Sequence, residues 1–458
     1  MSLGSVVILA AGRGTRMRSA RPKLAHDLCG RALVAWPVAA AREAGAERVI
    51  AVVAADTPLG DVLGEGVQTA VQARPDGTGG ALRAAAGLID RSAPLVSLYG
   101  DVPLVEPALL RDLVAEHERS GAAATMVTIT VADPTGYGRV VRDATGAVER
   151  VVETKHTDGL SDAVLGIEEI NSGVFVFDPE IVLEQLECVA PVDGEVFLPE
   201  VLPLIRAAGG TVATFAASDP ALLLGVNDRV QLAGVRAEAQ RRIQERHMLA
   251  GVTIVQPSST SIDFGVEIGA DTVIEPCTQL LGDTRIGSRA TVGPHSTVIG
   301  SLLGDDVRVI QSHIVECELR AGASVGPFAY LRPGALLRER AKAGTFVEIK
   351  NSDIGAGTKV PHLSYVGDAD VGDGTNLGAG TITANYDYVK KNRTTIGARV
   401  KGGVHTSYIA PVVVSDDAWT AAGSVINADI PPGALGVARA RQRNVDGYAE
   451  RREGRGDG

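Results

Sequence analysis

The amino-acid sequence predicts an α/β protein in two differently built halves, a mostly parallel, doubly wound sheet followed by a parallel β-helix. Three observations carry this prediction. Short apolar runs alternate with helical patterns over residues 1–225, an aliphatic residue recurs at every sixth position in the second half, and one helical segment rich in Arg, Gln and Glu lies between them. The expected domains are residues 1–226, a linker helix over residues 227–250, and residues 251–458.

Length and composition exclude several classes of protein. The chain has 458 residues, enough for two or three domains with their own cores. Its net charge of −11 disfavours a nucleic-acid partner. No apolar run reaches the ~20 residues of a membrane span, the first one lacks the basic start of a signal peptide, and the four cysteines are scattered. We therefore expect a cytoplasmic protein without membrane or nucleic-acid partners.

The first half has the pattern of a sheet covered by helices on both faces. Val6–Ala11, Val49–Val53 and Leu95–Tyr99 are continuous apolar runs, which is typical of buried parallel strands. Val34–Ala44 and Gly80–Leu88 lie between them and are rich in Ala and Arg. Ligands of such sheets bind beyond the carboxyl ends of the strands. The loops that follow these strands are therefore the first candidates for a site.

The second half repeats every six residues without a miss over seven repeats. A six-residue aliphatic repeat with Gly, Asp and Asn between its members indicates three short strands per coil of a parallel β-helix. Stacked coils need small residues at their corners, which explains 54 glycines and only 4% aromatic residues. A β-sandwich, the alternative, would alternate with period two. The series is Ile262, Ile268, Ile274, Leu280, Ile286, Val292 and Val298.

A glycine-containing loop follows the first strand. Gly12 and Gly14 would let backbone N–H groups approach phosphate, and Arg16 and Lys23 add positive charge. Met17 stands where a dinucleotide-binding loop has its third glycine, and the Gly-Lys-Ser/Thr of a Walker loop is absent. Taken alone, this pattern leaves phosphate binding and a plain tight turn as equal alternatives.

Several motifs in order resemble one family over nearly the whole chain. Leu9–Met17 with Pro22–Lys23 resembles the signature of sugar-1-phosphate nucleotidylyltransferases. The later motifs resemble those of the bifunctional N-acetylglucosamine-1-phosphate uridylyltransferase / glucosamine-1-phosphate acetyltransferase family. The resemblance implies a nucleotidylyltransferase-type first domain and a left-handed β-helix of hexapeptide repeats. The later motifs are Gln72–Gly79, Leu98–Leu104, Asp133–Arg139, Val152–Glu153, Glu169–Gly173 and Gly225–Arg229.

For the first domain the resemblance implies transfer of a uridylyl group from UTP to N-acetylglucosamine 1-phosphate, with release of pyrophosphate. Asp101 and Asn227 would hold Mg²⁺, a hard cation that takes few protein oxygens and completes its shell with phosphates. Alternatively, Asp101 ends a strand and Asn227 is a helix N-cap. The implied contacts are Gln72, Gly77 and Thr78 with uracil, Gly138, Glu153 and Asn171 with the amino sugar, and Leu9, Ala10, Ala11, Gly12, Arg16, Lys23, Tyr99 and Gly100 with the nucleotide.

For the β-helix the resemblance implies acetyl transfer from acetyl-CoA to glucosamine 1-phosphate. His362 would take a proton from the attacking amine, with Glu348 a candidate to orient its ring. A lone histidine in a repeat is otherwise more often structural. The implied contacts are Arg332 and Lys350 with phosphate, Tyr365 and Asn376 with sugar, and Ala379, Asn385, Tyr386, Val404, Ala422 and Arg439 with acetyl-CoA.

Three departures from the family pattern stand out. Val404 replaces a serine on the acetyl-CoA side, and Tyr388 replaces a glycine after Asn385-Tyr386-Asp387. Val196–Glu200 replaces a more aromatic stretch, at a place that we expect to touch fewer substrate contacts.

Rival functions remain open from sequence alone. The β-helix could be only a scaffold for a uridylyltransferase, or the chain a non-catalytic regulatory subunit; a β-helix metal enzyme of the carbonic-anhydrase kind would need three converging histidines. Following CoA and pyrophosphate release separately distinguishes them. We expect a homotrimer acting on small-molecule substrates.

Overall fold

The computed structural model describes residues 3–57, 59–154 and 160–453. The chain divides into two compact units, residues 1–240 and 241–458, which are described separately below.

The first unit is built on a nine-stranded sheet and a small two-stranded one. A helix of 21 residues, α8 (Arg229–Leu249), contains the boundary with the second unit. In chain order the elements are β1 (Leu3–Leu9), β2 (Asp27–Leu28), β3 (Arg31–Ala32), α1 (Ala35–Glu43), β4 (Ala46–Ala54), α2 (Gly60–Leu63), β5 (Gln68–Gln72), α3 (Gly77–Ala84), β6 (Leu95–Tyr99), α4 (Pro107–Ser120), β7 (Ala124–Thr130), β8 (Arg139–Arg142), β9 (Val148–Val152), α5 (Asp162–Leu165), β10 (Glu169–Phe177), α6 (Pro179–Leu186), α7 (Val201–Ala207), β11 (Val212–Ala216) and α8 (Arg229–Leu249).

The large sheet has the strand order β11-β7-β10-β6-β1-β4-β5, with the hairpin β8–β9 attached to β10. Strands β6, β1, β4 and β5 run parallel to one another, and β10 runs antiparallel to both β6 and β7. Leu9, the last residue of β1, pairs with Val52 and Tyr99. The loops that follow β1 and β6 therefore leave the same edge of the sheet.

Two hydrophobic cores lie on the two faces of this sheet. One packs α1 and α4 against residues such as Val6 and Ile8, and the other packs α3, α6 and α7 against residues such as Val7 and Phe175. Alternate residues of β1 thus enter opposite cores, as expected for a strand that is covered on both faces. The predicted mostly parallel, doubly wound sheet is confirmed.

The residue that caps the start of α8 is Asp228 and not Asn227, which the sequence had suggested. The side chain that caps this helix belongs to Asp228, whose Oδ1 accepts hydrogen bonds from the backbone N–H groups of Val230 and Gln231, both at 2.9 Å. Asn227 lies one residue earlier and its own N–H donates to Gln231 Oε1. The N-cap interpretation of Asn227 is therefore wrong, and its side chain faces elsewhere.

The second unit is a left-handed parallel β-helix of many short strands. Its strands are β12 (Thr253–Ile254), β13 (Ser261–Ile262), β14 (Glu267–Ile268), β15 (Val273–Ile274), β16 (Gln279–Leu281), β17 (Arg285–Ile286), β18 (Thr291–Val292), β19 (Thr297–Ile299), β20 (Leu302–Leu303), β21 (Arg308–Val309), β22 (His313–Val315), β23 (Glu318–Leu319), β24 (Ser324–Val325), β25 (Tyr330–Leu331), β26 (Leu336–Leu337), β27 (Lys342–Thr345), β28 (Glu348–Lys350), β29 (Asp353–Ile354), β30 (Lys359–His362), β31 (Tyr365–Gly367), β32 (Ala369–Val371), β33 (Ile382–Ala384), β34 (Thr394–Ile396), β35 (Ser407–Ile409), β36 (Val412–Val414), β37 (Trp419–Thr420), β38 (Val425–Ile426) and β39 (Leu435–Gly436), followed by α9 (Tyr448–Glu453).

Up to β32 every third strand joins the same sheet, so the coil has three faces. Ser261 pairs with Gln279 and Tyr365 with Ile382, so most coils take 17 or 18 residues. The six-residue series points inward: Ile262, Leu280 and Val298 are fully buried. The predicted hexapeptide β-helix is confirmed.

One coil is longer than the others because a hairpin leaves it. Ile382 pairs in parallel register with Ser407, which lies 25 residues further along the chain. The extra residues form a hairpin over residues 385–392, closed by the pairing of Tyr386 with Lys391 and by Asn392 N–H donating to the Asn385 carbonyl at 2.7 Å. Arg393 binds Asp370 with two nitrogens and so ties the hairpin to the neighbouring face.

No helix in the described part of the chain is both long and apolar enough to pass through a bilayer.

Candidate active sites

The first unit contains a cavity of about 910 Å³ at the carboxyl ends of β1 and β6. It is lined by the loop after β1, the start of α3, Asp101, the hairpin β8–β9 and the segment before α8. Of the nucleotide and sugar residues implied by the resemblance, all but Ala10 and Gly100 line it. Those two lie behind it: Ala10 N–H donates to the Val52 carbonyl, and Gly100 N–H to the Leu9 carbonyl. The implied lining residues are Leu9, Ala11, Gly12, Arg16, Lys23, Gln72, Gly77, Thr78, Tyr99, Asp101, Gly138, Glu153, Asn171 and Asn227.

Two oxygen–cation pairs lie side by side at the wall of this cavity. Lys23 Nζ binds Asp101 Oδ2 at 2.5 Å, and Arg16 Nη2 donates to Asn227 Oδ1 at 2.8 Å. The Val226 N–H donates to the Asp101 carbonyl at 2.9 Å, which brings the two pairs together. The Lys23 and Asp101 side chains are only 10% and 20% exposed, so their charges act on a partly desolvated space.

These pairs fit a magnesium ion held mainly by substrate. Asp101 and Asn227 offer hard oxygen donors, and each already binds a positive group. Within the described ranges, no cluster of three or more His, Cys, Asp or Glu side chains could hold a metal. One carboxylate and one amide suit an ion that takes its other ligands from phosphates and water.

The loop that begins α3 is shaped by Gln72. Gln72 is buried, and its Nε2 donates to Asp76 Oδ1 at 2.6 Å and to the Gly77 carbonyl at 2.9 Å. Gly77 has φ +93°, and a Cβ there would lie 2.5 Å from the carbonyl oxygen of Val196. Only glycine meets both conditions without strain.

The backbone of Val196–Leu198 supports this loop. Val196 N–H donates to the Asp76 carbonyl at 2.7 Å, its carbonyl accepts from Gly79 N–H at 2.8 Å, and Leu198 N–H donates to Thr78 Oγ1 at 2.9 Å. Phe197 lies between them and lines the cavity. This stretch therefore contacts the loop of Gly77 and Thr78, although the sequence indicated few contacts with residues of an implied role. These contacts are mostly backbone to backbone, so the side-chain pattern carries no signal for them.

Asn171 and Gly138, which both line the cavity, are hydrogen-bonded to each other. The Asn171 N–H donates to the Gly138 carbonyl at 2.9 Å, and its Oδ1 accepts from Gly173 N–H at 3.0 Å. Tyr99 lies beside them, and burial together with the Glu153 charge raises the pKa of its hydroxyl well above the usual value. Tyr99 is therefore a neutral hydrogen-bonding group at any working pH.

In the β-helix, three of the implied sugar-phosphate residues lie on one face. Arg332 follows β25, Lys350 ends β28 and Tyr365 begins β31, and these strands are neighbours in one sheet. Arg332 Nη1 binds Glu348 Oε1 at 2.9 Å. Glu348 thus has Arg332 as its partner in this chain, rather than the suggested His362. Lys391 of the hairpin contacts Lys350 and, with burial, lowers the pKa of its ammonium group.

A buried carboxylate that the sequence analysis missed lies next to Lys350. Asp368 accepts a hydrogen bond from Asn351 Nδ2 at 2.6 Å on Oδ1 and another from Asn385 Nδ2 on Oδ2. Lys350 Nζ lies 3.8 Å from the same Oδ2. Asn351, Asp368 and Asn385 are each 17 residues apart, which is one coil. The coil length was therefore the signal that could have found this group.

His362 and most of the implied acetyl-CoA residues lie on one corner of the coil. Successive coils stack there through backbone hydrogen bonds, from Gly380 N–H to the His362 carbonyl at 3.1 Å and from Gly423 N–H to the Val404 carbonyl at 2.8 Å. The His362 side chain is exposed. Asn376 pairs with Lys359, so it lies on the sheet of β30, on the other side of this corner from Tyr365. The stacked acetyl-CoA candidates are Ala379, Val404, Ala422 and Arg439.

Asn385 and Tyr386 lie at the base of the hairpin. Asn385 Nδ2 also donates to the Tyr365 hydroxyl at 3.4 Å, which links the hairpin to the sugar face. Tyr388, at the position where the resemblance implied a glycine, has φ +71° and a side chain that is 89% exposed. The loop thus keeps a left-handed backbone that favours glycine, although a tyrosine occupies it.

Comparison with known proteins agrees with both halves. Residues 6–161 match the MobA-like NTP transferase domain, and residues 265–300 match the bacterial transferase hexapeptide with six repeats. The chain is 46% identical to "Bifunctional protein GlmU" of Streptomyces avermitilis, over 98% of this chain and 94% of that protein. It is 44% identical to the proteins of the same name from Mycolicibacterium gilvum and Mycobacterium marinum, over 99% and 98% of this chain and 93% of each relative.

The fold and sites therefore define a two-domain transferase, a nucleotidyltransferase joined to a hexapeptide-repeat acyltransferase. The chain belongs to the family of bifunctional GlmU proteins. The predicted pair of activities, uridylyl transfer and acetyl transfer, is confirmed. Enzymes of this family generally use Mg²⁺ and act on small-molecule substrates.

Proposed function

We propose that the cavity of the first unit binds UTP and N-acetylglucosamine 1-phosphate and joins them. The carrying observation is the adjacent pair Lys23–Asp101 and Arg16–Asn227 at the carboxyl ends of the strands. The sugar phosphate oxygen attacks the α-phosphorus of UTP while the bond from that phosphorus to pyrophosphate breaks. Such transfer needs alignment and charge neutralisation more than a side-chain nucleophile.

Different residues of the cavity bind different parts of the two substrates. Lys23 and Arg16 place positive charge where the triphosphate would lie, and the loop held by Gln72 offers Gly77 and Thr78 to uracil. Asn171 and Gly138, which line the same cavity, face the amino sugar. Asp101 and Asn227 would hold Mg²⁺, which when bound supplies positive charge to the reacting phosphates.

We propose that the corner of the β-helix carries the acetyl transfer. His362 accepts the proton of the glucosamine 1-phosphate amine as the nitrogen attacks the thioester carbonyl carbon. The carbon–sulfur bond then breaks, and the same proton can pass to the departing CoA sulfur. Arg332 and Lys350 supply the charge for the sugar phosphate on the adjoining face, and Lys391 adds a third cation. Arg439 would meet the CoA phosphates.

We propose a homotrimer as the working assembly. Phe328, Phe346 and Leu363 form an exposed apolar stripe at the same corner of three consecutive coils, beside His362, and the two aromatic rings stack with their centroids 5.4 Å apart. Each of the three side chains is more than half exposed. A stripe of this kind next to a catalytic corner fits contact with another copy of the chain.

Both reactions can be tested in one assay. Purified protein is incubated with glucosamine 1-phosphate, acetyl-CoA, UTP and Mg²⁺, and CoA thiol and pyrophosphate are followed separately. His362→Ala should lose CoA release while keeping pyrophosphate release when N-acetylglucosamine 1-phosphate is supplied.

The reverse pattern is expected for Asp101→Ala, because this change removes the only carboxylate of the proposed metal site. Asp90→Ala is the matched control, since Asp90 pairs with Arg48 and neither residue lines the cavity. Undiminished pyrophosphate release by Asp101→Ala would contradict the assignment.

A further inference from the structure

Asp368 is a buried carboxylate at the corner between β31 and β32, across the sugar-phosphate face from the corner that carries His362. It is 6% exposed, and its two oxygens serve different partners. Oδ1 accepts from Asn351, whereas Oδ2 accepts from Asn385 and faces Lys350 Nζ at 3.8 Å. Lys350 belongs to the proposed phosphate grip and Asn385 to the proposed acetyl-CoA side. One carboxylate oxygen therefore touches both.

The contact between Lys350 and Asp368 matters because other positive groups surround Lys350. Lys391 and Arg332 crowd Lys350 with like charge, and Arg332 is already paired with Glu348. The contact with Lys391 lowers the pKa of Lys350 most, and burial lowers it further. The negative charge of Asp368 raises this pKa and so opposes both effects. Burial also opposes ionisation of Asp368, but hydrogen bonds from Asn351 and Asn385 and the charges of Lys350 and Lys391 outweigh it and hold its pKa low.

We propose that Asp368 is a positioning residue of acetyl transfer, which keeps Lys350 charged for the sugar phosphate and presents Asn385 to acetyl-CoA. This inference rests on the proposed function of the corner. It assigns a role to a residue that contacts neither substrate and acts through two that do.

A purely structural role is already filled by a neighbour. Asp370 lies two residues on, is half-buried, and holds the hairpin to the coil through its paired contact with Arg393. Anchoring the hairpin therefore does not require Asp368. Coil stacking does not require its side chain either, because its backbone N–H donates to the Lys350 carbonyl at 3.0 Å and its carbonyl accepts from Thr394 N–H at 3.1 Å.

The test compares Asp368→Asn with the matched variant Asp370→Asn in the full-length chain. Asp368→Asn keeps the shape of the side chain but removes its charge and one acceptor oxygen. The KM for acetyl-CoA is expected to rise about tenfold through loss of the charge-assisted hydrogen bond to Asn385. Pyrophosphate release from UTP and N-acetylglucosamine 1-phosphate should stay at the wild-type rate.

The second readout is the pH dependence of kcat/KM for glucosamine 1-phosphate. Without the negative charge the pKa of Lys350 falls, so its ammonium group deprotonates at lower pH. The alkaline limb therefore shifts to lower pH by about half a pH unit to one pH unit. The acid limb of the profile should not move. In a Lys350→Arg background the alkaline shift caused by Asp368→Asn should vanish, because a guanidinium stays charged.

The outcomes are separable. If the wild type transfers acetyl groups but Asp368→Asn matches Asp370→Asn in KM and in the alkaline limb, the positioning role is wrong while the proposed function stands. A wild type that releases no CoA would overturn the proposed function itself. Should Asp368→Asn fail to fold, Asn351→Ala replaces it, because it removes the hydrogen bond to one oxygen of the Asp368 carboxylate. This variant must show smaller changes of the same sign in the KM for acetyl-CoA and in the alkaline limb. Unchanged values would again overturn the inference.

Discussion

At the scale of single residues, two positions where the resemblance implied another residue keep their backbone geometry. Val404 keeps its place in the corner stack through its carbonyl, although its side chain lacks the hydroxyl of a serine. Tyr388 keeps a left-handed backbone that costs a non-glycine residue about 1–2 kcal/mol. In both cases the backbone conformation is kept and only the side chain differs.

The Tyr388 strain gives a stability prediction. Tyr388→Gly should raise the free energy of unfolding of the β-helix by about 1 kcal/mol relative to Tyr388→Ala, because alanine keeps the strain at φ +71° and glycine does not. Denaturant unfolding of the two variants measures the difference. Equal stabilities would mean that the hairpin adopts another conformation in solution.

At the scale of elements, the loop that begins α3 depends on a distant backbone segment. Gly77→Ala would place a Cβ against the Val196 carbonyl and displace the loop that offers Thr78 to uracil. Gly136 is the matched control, since it lines the same cavity with φ +83° and a Cβ there meets nothing within 4 Å. The KM for UTP should rise far more in Gly77→Ala than in Gly136→Ala. Similar KM values would show that backbone strain alone, and not the clash, governs the loop.

The end of α8 gives a pH prediction. Burial and the Arg246 charge lower the pKa of His247 to about 4, and its Nε2 has no hydrogen-bond partner among the described residues. The unfolded chain, with a histidine pKa of ~6.5, then binds the proton first. The free energy of unfolding should therefore fall as the pH drops from about 6.5 to about 4, by up to about 3 kcal/mol.

Unfolding at a series of pH values checks this. His247→Gln should flatten the slope, whereas His295→Gln, at an exposed side chain, should keep the wild-type slope because His247 remains. A slope unchanged in His247→Gln would mean that other groups cause the acid loss.

Several elements were predictable because their signals repeat. The six-residue series marks the interior of the β-helix, and the apolar runs mark β1, β4 and β6, since burial on both faces leaves no other choice of residues. The cap of α8 was assigned one residue too early because Asn227 and Asp228 are equally good caps by type. Val196 was missed because its contacts use backbone atoms, and Asp368 because its partners are distant in sequence until the coil length is known.

At the scale of the whole molecule, the exposed apolar corner predicts association. Light scattering on the full-length chain should report three copies. Phe328→Glu combined with Phe346→Glu should give single chains, because the two carboxylates would lose their water at the contact. Tyr448→Glu, at an exposed ring on α9, should leave the trimer intact. A trimer that survives the double change would place the contact on another face.

The hairpin at residues 385–392 shows how such a coil can be lengthened. Ile382 and Ser407 pair in the same parallel register as strands one ordinary coil apart, although several additional residues separate them. An insertion at a corner therefore leaves the stacking of the coils before and after it undisturbed, because each coil recognises only its neighbours. New recognition loops can be grafted at corners one coil at a time, by evolution or by an engineer, without redesign of the core.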